Sequence, residues 1–172
     1  MNKDERYYYI DGTRYLRVTT VLSVINKPGL NEWRATVGKD QADDWTEETR
    51  DIGTEVHRLI SSIIGGYKIE APEWGSIDNR IRNGVRAYLQ AQATLKFVPI
   101  ESEKLLVCEK LGYAGTTDLI AKMGGKYYLF DWKVSSRLWD EVKLQLSAYA
   151  HACTERIEGC IAVRLDRDTG LW

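Results

Sequence analysis

Cysteine is scarce in this sequence: Cys108, Cys153 and Cys160 are the only three, and no CxxC pair occurs among them. An odd number at these spacings gives neither a disulfide framework nor a zinc-site pattern, so a reducing compartment and buried, inert thiols are expected. Long apolar runs are missing as well, since no stretch approaches the roughly 20 residues that cross a bilayer. Residues 1–6 are charged and carry neither an apolar segment nor an arginine-rich amphipathic presequence. A soluble, cytoplasmic protein with no membrane partner is the expectation. Net charge is nearly absent, at −1 from 24 basic and 25 acidic residues. Any anion-binding face must then be a local concentration of Lys and Arg, because the chain as a whole attracts no polyanion. Repeats, low-complexity tracts and linkers are lacking too, and residues 1–172 are read as one domain with a sizeable core.

What is present is an ordinary globular balance, 44% hydrophobic and 28% charged, with a generous six tryptophans and ten tyrosines. Such aromatics fill cores, and some stack on bases or sugars. The chain opens as a hairpin, 7–10 and 14–18, turning at Asp11-Gly12. Thr19 is placed to cap a short helix over 19–25, stopped by Lys27-Pro28-Gly29, and a second short helix covers 31–37. The charged stretch 39–49 is expected to be mobile. Ile52, Val56, Leu59, Ile60 and Ile63 recur at helical spacing, predicting a helix over 51–64 that ends at Gly65-Gly66. Another helix spans 77–95 and carries Arg80, Arg82 and Arg86, of which Arg82 and Arg86 share a face. Strands follow at 103–110, 115–123 and 126–134, then a helix over 138–154 and a strand at 160–165. This order predicts an α/β (α+β) domain whose mixed β-sheet is flanked by helices, its last strand reached through a crossover helix.

The hairpin at 115–133 carries the chemistry. Gly124-Gly125 between two β-rich runs is a two-residue turn, because both glycines can take positive φ. That loop pairs Met123 with Lys126 and, further along, sets Asp118 opposite Asp131, with Lys133 on the same face as Asp131. Directly opposed Cβ atoms lie about 4.5–5.5 Å apart. Apolar neighbours on both faces, Leu119, Phe130 and Trp132 on one and Ile120 and Leu129 on the other, make these strands central and buried. Two carboxylates so placed repel unless one is protonated or a cation bridges them. A buried ion-pair network with Lys133 is the bland alternative, but it explains two opposed acids less well than a divalent cation does.

Asp118, a spacer, and then Asp131-Trp132-Lys133 resembles the signature of the PD-(D/E)xK nuclease superfamily. Further motifs, in the right order, resemble its RecB-like branch of exonucleases, phage-type members included. They are Gly53-Thr54-Glu55-Val56-His57, Glu109 ahead of Gly112-Tyr113-Ala114-Gly115-Thr116-Thr117-Asp118, and Gln145-Leu146-Ser147-Ala148-Tyr149. Val18-Thr19-Thr20-Val21-Leu22 and Pro28-Gly29-Leu30-Asn31-Glu32-Trp33 are similar to the N-terminal part of phage-type members. The resemblance implies a restriction-endonuclease-like core and Mg²⁺- or Mn²⁺-dependent hydrolysis of DNA phosphodiesters. It favours trimming from linear ends or single-stranded regions in recombination, repair or phage DNA processing, within a bacterial or phage-infected cell. A structure-selective endonuclease of the same fold, or a non-catalytic DNA-binding or assembly subunit, are the alternatives.

The resemblance also implies roles for residues. Asp118, Asp131 and Lys133 form the catalytic centre, supported by Gln145 and Tyr149. The metal ligands are His57, Asp118, Asp131 and the backbone carbonyl of Trp132, with Glu109 either a further ligand or an exposed acid. Alone, His57 on a helical apolar stripe reads as a core histidine, and Glu55 reads as solvated. Gln145, a polar amide on the stripe Leu138, Val142, Tyr149 and Ala152, needs a partner, either backbone beside Asp131 or a phosphate. Ser135 and Ser136, after the third strand, resemble the family's phosphate-touching pair, while Arg82 and Arg86 are either DNA contacts or a solvated face. The three cysteines do not match the four-cysteine set of iron–sulfur relatives, so no cluster is expected. Relatives continue past the turn-like 166–170 with another strand and helix, so a short C-terminus is expected here, and a homo-oligomer would cover the bare sheet edge.

Overall fold

The computed structural model describes residues 5–25 and 28–172. In chain order the elements are β1 (Tyr7–Ile10), β2 (Thr13–Arg17), α1 (Val18–Leu22), α2 (Pro28–Val37), α3 (Lys39–Ile64), α4 (Ala71–Ser76), α5 (Asn79–Leu95), β3 (Val98–Cys108), β4 (Tyr113–Met123), β5 (Lys126–Lys133), α6 (Glu141–Ala152) and β6 (Ile157–Arg164). The fold is mixed α/β, a six-stranded sheet of parallel and antiparallel pairs flanked by helices. Among the described residues, no helix is long and apolar enough to cross a membrane.

The pairing of β4 creates the feature on which the site depends. One edge of β4 pairs with antiparallel β3 from Cys108↔Tyr113 to Val98↔Lys122. The other edge is shared. Antiparallel β5 takes it from Leu119↔Phe130 to Met123↔Lys126, and parallel β2 takes it only at Tyr113 and Ala114. Residues 115–118 of β4 therefore have no ladder partner on that edge, and the sheet forks there. Gly124 and Gly125, at φ +56° and +79°, make the tight turn that holds the β4–β5 register, as the sequence predicts. Strand β6 lies parallel to β5 and is reached through α6.

The two faces of the sheet bury separate cores. Ile52, Val56 and Ile60 of α3 and Ala87, Tyr88 and Ala91 of α5 pack on Leu119, Phe130 and Trp132. On the opposite face, Val142, Leu146 and Tyr149 of α6 pack on Leu106, Ile120 and Leu129. Strict alternation along β4 and β5 assigns each side chain to its face. The first core centres on aromatic rings: Phe130 lies 4.5 Å from Phe97 and 5.5 Å from Trp132, centroid to centroid. Phe130 is fully buried, so Phe130→Ala is expected to cost about 3–5 kcal/mol, read as a lower urea midpoint with unchanged slope.

Several boundaries differ from expectation. The charged stretch 39–49 is not mobile but the first half of α3, with Ala42 buried. Two of its acids are matched across helices, Asp43 by Arg34 of α2 at 2.5 Å and Glu48 by Arg80 of α5 at 2.8 Å. Thr19 caps nothing, since α1 begins at Val18 with Arg17 before it and no side-chain cap. The stop at Lys27 lies outside the described residues. Helix α4 was not expected, although Pro72 in its first turn suits a helix start. Leu138 and Trp139 stand outside α6 and are exposed. All three cysteines are free, but Cys160 is exposed on β6 rather than buried.

Candidate metal centre

Asp118 stands at the fork, where β4 and β5 part. The ladder ends one pair short of it, at Leu119↔Phe130. In place of the next ladder bond, the Trp132 amide donates to Asp118 Oδ2 at 2.6 Å. The register thus carries Asp118 to the level of Asp131, but its carboxylate is engaged by backbone. The other oxygen, Oδ1, lies 3.2 Å from His57 Nδ1, reaching from α3. His57 follows Val56, whose burial fixes that turn of α3 against the sheet. In a strand the N–H and C=O of one residue point to the same edge, so the Trp132 carbonyl also faces the fork.

Asp131 is 2% exposed and lies on the α6 side of the sheet. Lys133 Nζ is 2.7 Å from Asp131 Oδ2 and donates to Gln145 Oε1 at 3.1 Å, while Gln145 Nε2 donates to the Tyr149 hydroxyl at 2.9 Å. The amide on the apolar stripe of α6 thus finds its partner in a side chain, Lys133, not in backbone. The Lys133 ammonium is thus the counter-charge of the buried Asp131 Oδ2. Burial and the charge of Asp118 push the Asp131 carboxyl up to about 6, against the opposing pull of Lys133. Burial likewise raises the Tyr149 hydroxyl. Its ring packs against Gly115, where any Cβ would overlap it.

A third acid joins the site from an unexpected position. Ligand atoms of His57, Glu103 and Asp118 all lie within 4.8 Å of one another. Glu103 sits on β3 between Ser102, paired with Leu119, and Lys104, paired with Thr117, so the register brings it level with Asp118. Its φ is +54°, a strained backbone for a residue with a side chain. Burial and the Asp118 charge raise its carboxyl, and His57 lowers it. Glu109, named from the sequence, instead lies in an exposed single turn, Glu109–Leu111, outside this group. The signal for Glu103 was legible: the tight connection at 109–112 pairs Cys108 with Tyr113, and counting back along both strands aligns 103 with 118.

An imidazole and two carboxylates form a nitrogen–oxygen donor set of the kind that holds a divalent cation. Asp131, buried and paired with Lys133, stands beside that set without belonging to it. The expectation that Asp118 and Asp131 face each other across one cation is thus modified: Asp118 turns to His57 and Glu103, Asp131 to Lys133.

The remaining predicted residues are dispersed. Ser135 Oγ donates to the Arg137 carbonyl, and the Ser136 carbonyl accepts from Arg164. Ser135 lines a cavity of about 320 Å³ together with Lys133 and Gln145. On the other side of the site, His57 and Glu103 open into a groove of about 610 Å³ flanked by Arg50 and Arg58. Arg82 bonds Asn79 and the carbonyls of Trp74 and Gly75, Arg86 bonds Asn83, and neither bonds a residue of the site. Glu55 pairs with Arg58 at 2.6 Å at the surface.

Protonation at this centre gives a signed expectation. Burial lowers the His57 pKa, but its hydrogen bond to Asp118 and the charges of Asp118 and Asp131 raise it overall. A histidine raised on folding stabilises the fold at low pH and loses that contribution as pH rises through its folded value. Asp131, raised to about 6, acts in the same direction: the folded state holds a proton that the unfolded chain, near pKa ~3.9, has released. Between about pH 4 and 6 the metal-free protein therefore loses stability from this site as pH rises. A divalent cation competes with these protons, so Mn²⁺ should raise the melting temperature more at pH 7.5 than at pH 5. Thermal melts with and without Mn²⁺ at both pH values check this; an equal rise at both would contradict it.

No family model matches the chain, and no curated protein matches it.

Proposed function

We propose that this chain is a metal-dependent deoxyribonuclease of the PD-(D/E)xK superfamily, RecB-like branch, hydrolysing phosphodiester bonds from DNA ends. The observation that carries the reading is the fork at Asp118. There a histidine, two further acids and a lysine converge from α3, β3 and β5 on one spot between two open cavities. The residues fit a divalent cation: His57, Glu103 and Asp118 bring a ring nitrogen and carboxylate oxygens within 4.8 Å of one another. His57, Glu103, Asp118 and the Trp132 carbonyl would hold it, with Asp131 beside that set. When bound, such a cation polarises the scissile phosphate and eases deprotonation of the attacking water.

The chain's own residues supply the rest. Lys133 places an ammonium at the fork, where it meets the charge that grows on the phosphate during attack. Gln145 holds that ammonium at 3.1 Å and is itself held by Tyr149, so α6 aims Lys133 through two hydrogen bonds. Asp131 balances the ammonium before substrate arrives. Burial of the aromatic core beneath Trp132 keeps β5 rigid, which matters because misplacement by about 1 Å costs orders of magnitude in rate.

Calcium discriminates between this reading and a non-catalytic DNA-binding subunit. Calcium ligates the same oxygens at longer distance. The protein should hold DNA in Ca²⁺ without cutting it and cut in Mg²⁺ or Mn²⁺. Binding that is indifferent to the cation, with no cutting in any, would sink the catalytic reading.

A further inference from the structure

Beside Lys133, the molecule exposes tryptophan where a globular surface ordinarily hides it. Trp45 is 53% exposed and Trp139 41%, and both line one cavity of about 560 Å³ together with Trp33, Ser136 and Arg137. Arg137 and Trp139 also line the cavity that contains Lys133, Ser135 and Gln145. Arg137 and Trp139 line both spaces, so the three tryptophans stand next to the cavity of the candidate catalytic lysine.

The charges around these spaces are unbalanced. Arg34, Arg58, Arg80 and Arg164 each pair with a carboxylate at 2.5–3.0 Å. Arg137 and Arg167 have no carboxylate partner among the described residues. Each lies instead against a tryptophan, Arg137 at 3.5 Å from the Trp139 ring centroid and Arg167 at 5.5 Å from that of Trp45. Arg167 Nη1 is buried with no acceptor. Guanidinium groups without counter-charges, set beside half-exposed aromatic faces, match a ligand that alternates anionic and planar aromatic groups.

We infer that the Trp33–Trp45–Trp139 cavity is a binding site for a single-stranded DNA end, its bases stacking on the tryptophans and its phosphates meeting Arg137. A duplex does not fit this chemistry, because its base faces are already stacked on one another. The inference rests on the nuclease reading only for its direction, the strand running from the tryptophans towards Lys133.

The test is equilibrium binding in EDTA, which prevents cutting, with the full chain and a fluorescein-labelled oligo(dT), against a blunt duplex of equal length. The wild type should prefer the oligo(dT), and the double change Trp45→Ala, Trp139→Ala should weaken that binding by about tenfold or more. Trp45→Phe with Trp139→Phe should keep most of the affinity, since a stacking face remains, and thermal melts establish that each variant is folded. Arg137→Gln should flatten the salt dependence of binding. Unchanged oligo(dT) affinity in the double alanine variant, or a wild-type preference for the blunt duplex, would overturn the inference. The same labelled DNA incubated with Mn²⁺ separates the two ideas: failure to cut it counts against the nuclease reading, while the EDTA titration still decides the platform.

Discussion

Asp118→Asn is expected to abolish DNA hydrolysis and to remove the Mn²⁺-dependent rise in melting temperature, while the protein stays folded. Asparagine keeps an oxygen that can accept the 2.6 Å bond from the Trp132 amide, so β5 remains anchored at the fork. What it removes is the negative charge shared with His57 and Glu103, and a neutral amide oxygen is a much poorer ligand for a divalent cation. Alanine would confuse the result, because it also strands the Trp132 amide, a loss of about 1–3 kcal/mol. A second consequence follows from charge alone. Asp118 is one cause of the raised Asp131 carboxyl, so in Asp118→Asn the Asp131 pKa should fall from about 6 toward the ordinary range. Calorimetric titration with Mn²⁺ and a cleavage assay check the first part, and NMR titration of Asp131 checks the second. Cleavage at the wild-type rate would show that Asp118 holds nothing the reaction needs.

Lys133→Ala is expected to lower the cleavage rate about 10²–10³-fold, the scale set by losing one preorganised donor to a developing oxyanion. Binding of Mn²⁺ should persist, because Lys133 is outside the group of His57, Glu103 and Asp118. Removing the ammonium also leaves Asp131 buried at 2% exposure without its counter-charge, so its carboxyl should rise further. Gln145→Ala separates positioning from chemistry. It keeps the ammonium but releases its 3.1 Å tether, and should reduce the rate by less than Lys133→Ala does. Rates under saturating Mn²⁺ with metal affinity measured in parallel test the pair. Loss of metal binding in Lys133→Ala would move the lysine from transition-state stabilisation to site assembly.

Local order made much of this legible in advance. The β4–β5 register follows from one two-residue glycine turn, and every observed pair from Met123↔Lys126 to Leu119↔Phe130 agrees with it. Alternation then assigned Leu119, Phe130 and Trp132 to one core and Ile120 and Leu129 to the other. The polar residue on the α6 stripe announced its need for a partner, though not which of the candidates it would choose. What sequence could not supply was set by contacts between distant segments. The first half of α3 looked too charged to be ordered, because its partners Arg34 and Arg80 lie on other helices. The opposed acids looked like a single cation clamp. A fork in the sheet lets the Trp132 amide take one oxygen of Asp118 and lets Lys133 take Asp131, a split that depends on where β2 replaces β5 along β4. Glu103 was passed over because Glu109 carried the motif resemblance, whereas the strand register favours the less conspicuous acid.

End-labelled linear DNA and closed circular DNA are to be incubated with the wild-type chain in Mg²⁺, Mn²⁺, Ca²⁺ or EDTA, beside Asp118→Asn. The predicted result is loss of the linear DNA alone, only in Mg²⁺ or Mn²⁺, absent in Asp118→Asn, with the order of label release giving the polarity. Cutting of the circle would replace the exonuclease by an endonuclease on the same site. Intact linear DNA in every cation, or equal cutting by Asp118→Asn, would contradict the nuclease reading.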